Sequence, residues 1–170
     1  NPSMTVPDAT VALFGDLIDA ALAAGDSTET QSVLANMLTL PTEQYLFEQA
    51  AEEIDVHGIV GARDRLVVAL ADGLQGRWQA LYHQYRSDGA FAPTPPAMAR
   101  RALQNAALTM LSSATDPANR RSARTCVQQQ LTSADNLTDR RAALAAVANS
   151  SLFDADESAE LFGEFYERWS

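Results

Sequence analysis

Between Val56 and Tyr85 the chain reads VHGIVGARDRLVVALADGLQGRWQALYHQY. Apolar side chains at Val56, Ile59, Val60, Val67, Leu70, Ala71, Leu74, Trp78, Leu81, Tyr82 and Tyr85 keep a single helical phase, the recurrence that marks an amphipathic helix. Gly73 and Gly76 lie inside it and cost about 1 kcal/mol each relative to alanine, yet the stripe does not slip across them. The spacing therefore predicts one helix, capped by Asp55 and bent near the glycines. At 1.5 Å per residue, ~30 residues would span ~45 Å, with Trp78 largely buried.

Working outward, helical spacing recurs almost everywhere and no alternating strand pattern stands out. Upstream, a helix is expected after Asp8 as N-cap, with Phe14, Leu17, Ile18 and Ala21 on one face, stopping near Gly25-Asp26-Ser27. A second runs from about Thr28 with Val33, Leu34, Met37 and Leu38 buried, and ends before Pro41. Pro41 and Thr42 open a short third one carrying Tyr45, Leu46 and Phe47.

Downstream, Ser87 to Pro93 is a loop, and Thr94 with Pro95 and Pro96 starts a helix that buries Ala99, Leu103, Ala106, Ala107, Met110 and Leu111. Asp116-Pro117 repeats that signal for a helix with Ala123, Cys126, Val127 and Leu131. Asn136 or Thr138 caps another, with Ala143, Leu144 and Val147. Asp154 starts the last, whose stripe is Leu161, Phe162, Phe165, Tyr166 and Trp169. The predicted fold is all-α: about eight helices as antiparallel hairpins stacked in a curved, HEAT- or armadillo-like layer.

Composition narrows the function. The chain of 170 residues is 46% hydrophobic and 20% charged, as an ordinary globular chain is. Its single cysteine, Cys126, excludes an internal disulfide and a thiolate zinc cage. No apolar run approaches the ~18 residues of a membrane span, and Asn1 to Thr10 lack the pattern of a signal peptide. A cytoplasmic location is expected. The net charge is −10, and all twelve cations are arginines, none before Arg63. Residues 1–62 hold ten acids and no base, from Asp8 to Asp55. That imbalance disfavours nucleic acid and membrane surfaces as partners. The acids read as solvated helix faces, or alternatively as an acidic wall facing cationic peptide termini.

Candidate chemistry is sparse. His57 and His83 are 26 positions apart, and neither has a second histidine within a turn, as a helical zinc site requires. Cys126 falls on an apolar face, where a buried inert thiol is expected. Asn136-Leu137-Thr138 and Asn149-Ser150-Ser151 match the glycosylation pattern only formally, and both read as helix boundaries. The pairs Arg100-Arg101, Arg120-Arg121 and Arg140-Arg141 each sit early in a helix, solvated or ion-paired, or else in contact with a neighbouring domain's carboxylates.

Three stretches resemble the C-terminal helical domain of bacterial aminopeptidase N, the zinc peptidases that remove N-terminal residues from peptides. They are Met37 to Pro41, Arg100 to Leu108, and Ala134 to Asp139 continuing to Ala142-Ala143-Leu144. The ending Glu164 to Trp169 fits as well. The third is the most specific, although the family more often has methionine where Leu137 stands. Here Asn136, Thr138 and Asp139 suit a helix start, so the motif reads as structural.

The resemblance implies that residues 1–170 are a single all-α segment, part of a larger C-terminal helical domain, with the catalytic zinc domain absent. The parent would be a zinc metallo-aminopeptidase, its metal held by that upstream domain. No catalytic, cofactor-binding or metal-binding residue is assigned to this segment. Its partners would be the other domains of its own polypeptide and the peptide substrates of the parent enzyme. Such a domain covers the active site and limits entry. A free-standing helical-repeat scaffold that binds proteins is the alternative. The aromatic ending at Phe165, Tyr166 and Trp169 gives the chain the look of a segment cut from something larger, with apolar surface left uncovered.

Overall fold

The computed structural model describes residues 5–50, 55–86 and 90–169, the side chains of 168 and 169 excepted. Among them are nine helices and no strand: α1 (Asp8–Ala23), α2 (Thr28–Met37), α3 (Glu43–Gln49), α4 (Val56–Gly73), α5 (Gln75–Tyr85), α6 (Pro95–Ser112), α7 (Pro117–Ser133), α8 (Leu137–Asn149) and α9 (Ala155–Trp169).

The ninth helix comes from a correction to the longest one. The stripe from Val56 to Tyr85 is divided at Leu74, whose φ of −118° and ψ of 18° leave the helical region. Glycines on either side, Gly73 and Gly76, lower the resistance of the backbone to such a break. Phase survives it because α4 and α5 both pack against α1 and α6. From Leu70 onward the stripe is buried, including Trp78, Leu81, Tyr82 and Tyr85. Its first half is not: Val56 is exposed, and Ile59, Val60 and Val67 are half-buried.

Helix ends follow from caps written in the sequence. Side chains of Ser27, Thr42, Asp55, Asp116 and Asn136 accept the free N–H groups that open α2, α3, α4, α7 and α8. Pro95 and Pro117 enter at first-turn positions. Asp154 accepts from Glu157 N at 2.9 Å while Glu157 Oε2 accepts from Asp154 N at 3.0 Å, a reciprocal box at the start of α9. Asp8 is a different case: it belongs to α1, behind Pro7, and makes no cap.

The centre of the fold is α6, which packs against α2, α4, α5, α7 and α8. Consecutive helices α5–α6, α6–α7 and α7–α8 are neighbours in space, as short connections dictate. One apolar cluster runs through Ile18, Leu34, Trp78, Leu103, Leu111, Val127 and Val147. Two faces were turned in the sequence reading. In α2 the buried side is Gln31, Leu34 and Ala35, with Leu38 just beyond, while Val33 and Met37 are exposed. In α3, Tyr45 is exposed. Both differ because α2 packs chiefly on α6 and α3 packs chiefly on α4.

Candidate functional site

The three stretches that carried the resemblance meet on α6. Asn105 Nδ2 donates to Asp139 Oδ1 at 2.8 Å, and Asn136 Nδ2 donates to Asp139 Oδ2 at 2.8 Å. Gln130, from α7, gives its Nε2 hydrogens to Asn105 Oδ1 at 2.8 Å and to the Asp139 carbonyl at 2.9 Å. Gln104 Nε2 completes the row by donating to Gln130 Oε1 at 2.8 Å. Five polar side chains thus join α6, α7 and α8 in the interior. Buried polar groups must be paired, and a row of matched amides pairs only in one register of the three helices. Asp139 N also donates to Asn136 Oδ1 at 2.9 Å, so the cap of α8 and the interhelical node are one structure. Leu137, at 63% exposure, points out of it.

Gln130 lies outside every resembling stretch of the sequence, and Gln104 enters only as one residue of the second. Polar residues at buried helical positions carry no periodic signal.

The arginine pairs serve the same joints. Arg100 donates to the Gln84 carbonyl at 3.1 Å and stacks 5.2 Å over Tyr85. Arg101, buried, donates to the Ala92 carbonyl at 3.1 Å and stacks 5.0 Å over Phe91. Arg120 reaches Ser151, and Arg140 Nε donates to the Ala134 carbonyl at 2.7 Å. These guanidiniums meet carbonyls at helix ends and in loops, and aromatic rings, whereas Arg121 and Arg141 are exposed. A missed one, Arg124, pairs with Glu157 and lies 4.7 Å over Phe153, tying α9 to α7. Hydrogen bonds from Arg124, then from the Asp154 N–H, hold the Glu157 carboxyl down to about 2.

A groove of about 900 Å³ opens beside α2, α4 and α6. Its walls are Leu38, Thr39 and Leu40 after α2, Val67 and Val68 on α4, and Ala102, Ala106 and Met110 on α6. Glu43, Arg63 and Asp64 stand at its rim, and Arg63 Nε donates to the Pro41 carbonyl at 3.0 Å. On the half-buried first part of α4 this groove is lined by Val67 and Val68. Two of the three resembling stretches contribute to it.

The residues considered for chemistry are scattered. His57 is exposed in the first turn of α4, and His83 is exposed on α5, edge-on to Tyr82 at 5.4 Å. Cys126 is buried, and burial pushes its thiol up. Burial likewise lifts the Tyr82 phenol to about 12. Among the described residues no three His, Cys, Asp or Glu side chains come together to hold a metal ion. All described acids of residues 1–62 are exposed, and Glu52 and Glu53 lie outside the described residues. On α9, Phe162 and Tyr166 are exposed and Phe165 is half-covered, while the Trp169 side chain lies outside the described residues. No described helix is long and apolar enough to cross a membrane. Over residues 1–170 the chain matches the family described as Domain of unknown function (DUF3458_C) ARM repeats.

Proposed function

We propose, from the premise that this chain belongs to that ARM-repeat family, the C-terminal domain family of aminopeptidase N-like proteins, that it is the non-catalytic helical cover of a zinc aminopeptidase. The zinc and the groups that act on the peptide bond belong to another domain of the same cytoplasmic polypeptide. This chain restricts entry to short or unfolded peptides. The observation that carries the reading is the node at Asp139: two of the family-like stretches supply Gln104, Asn105, Asn136 and Asp139, Gln130 of α7 joins them, and together they tie three helices in one register. A rigid cover excludes bulky substrates by shape, which asks for packing and not for reactive groups.

The test uses the full polypeptide. Fluorogenic aminoacyl-amide turnover is expected there and absent from residues 1–170 alone with added zinc. Disrupting the node in the full chain should raise turnover of long peptides relative to aminoacyl amides. Turnover by residues 1–170 that a chelator abolishes would overturn the proposal. The groove favours a second reading, a free-standing scaffold that binds an extended segment of another protein. A His-Glu-x-x-His motif encoded upstream of Asn1 would decide between them.

A further inference from the structure

The amide row at Asp139 has a direction, and the direction leaves one acceptor over. Asp139 accepts through both carboxylate oxygens, so Asn105 must turn its NH₂ toward it and present Oδ1 on the other side. Asn105 Oδ1 then requires a donor and receives Gln130 Nε2. Gln130 in turn presents Oε1, which receives Gln104 Nε2. Rotating any one of these amides would set two donors or two acceptors against each other. Gln104 Oε1 is therefore forced to point away from the row. Gln104 is only 4% exposed, and among the described residues no group donates to this oxygen. The neighbouring Tyr82 hydroxyl donates to the Cys126 carbonyl at 3.1 Å instead.

Gln104 lines a cavity of about 30 Å³ together with Gln130, Arg86, Ser133, Asp135 and Asn136. A water needs roughly 10–15 Å³ of such space and two to four polar partners. We propose that this cavity is a binding site for one resident water molecule, which donates to Gln104 Oε1. Charge selects water over an ion. The Arg86 guanidinium in the wall opposes a cation, and the Gln104 carbonyl with the carboxylates of Asp135 and Asp139 opposes an anion. A neutral molecule that both donates and accepts suits mixed walls. The water closes the row that began at Asp139 and belongs to the joint between α5, α6, α7 and α8.

A crystal structure of the protein at a resolution that shows its other buried waters is the first test. The expected result is one peak at ~2.7–3.1 Å from Gln104 Oε1. An empty cavity, or a protein donor on that oxygen, overturns the proposal. Water–protein cross-relaxation spectra give the second test, with a cross-peak expected at the Gln130 side-chain amide. In Gln104→Met, which keeps the length of the side chain but not its acceptor, that cross-peak should be lost. Its persistence in a folded variant would show that Gln104 does not hold the water. Should Gln104→Met not fold, the density beside Gln104 in the unsubstituted protein decides alone.

Discussion

Trp78 Nε1 donates to the Leu70 carbonyl at 2.9 Å, so the indole on α5 is fastened to the last turn of α4 across the break at Leu74. The same carbonyl receives Leu74 N at 3.2 Å. A buried tryptophan with its N–H paired contributes both area and a directional tie. Trp78→Ala should cost about 3–5 kcal/mol. Trp78→Phe keeps most of the packing and should cost about 1–2 kcal/mol, from the lost hydrogen bond and a small void. Urea denaturation midpoints compare the two, and equal losses would show that the tie to Leu70 contributes nothing.

Asp139 and Leu137 lie two residues apart and should respond in opposite ways. Asp139→Ala leaves the amides of Asn105 and Asn136 without their acceptor inside the protein. About 3 kcal/mol or more of stability should go. Leu137→Met, on the exposed side, should change stability by less than about 0.5 kcal/mol. The pair is measured by thermal and chemical unfolding under one set of conditions. A damaging Leu137→Met would mean that this position packs against something.

Acid should release α9 first. The Glu157 carboxyl sits at about 2 in the folded protein, against 4.5 for the unperturbed group, chiefly because Arg124 binds it. A depressed folded value means stabilisation that is complete above about 4.5 and is lost as the pH falls toward about 2. Backbone amide resonances of α9 followed through this window should shift before those of α6. In Arg124→Gln the early transition should disappear, with α9 loosened at neutral pH.

Gly25 is the one described residue with positive φ, at 57°, and it follows the end of α1. A Cβ there would meet nothing within 4 Å, so the backbone conformation is the whole cost of a side chain. Gly25→Ala should destabilise by about 1 kcal/mol. Gly25→Asn, which tolerates the left-handed region, should cost less. Thermal midpoints in that order check it, and no difference between Gly25 and alanine would mean that the turn has rearranged.

The sequence by itself determined the helical class, the helix starts at Thr42, Asp55, Asp116 and Asp154, and the core role of Trp78, Leu103 and Val127, and it narrowed the cap of α8 to Asn136 or Thr138. These are local matters: a cap is read from one residue and the three after it, and a stripe from its own spacing. Tertiary structure alone decided the break at Leu74, because a stripe that keeps its phase looks the same whether the backbone continues or bends to follow α1 and α6. It also decided that α2 buries Gln31 and exposes Val33 and Met37, since Gln31 Nε2 finds the Gly25 carbonyl at 2.6 Å and α6 covers only that side. The node is the clearest case. Gln104, Asn105 and Asp139 stand in the resembling stretches with nothing along the chain to say that they meet, Gln130 stands outside them, and only the packing of three helices brings their donors and acceptors within 3 Å of one another.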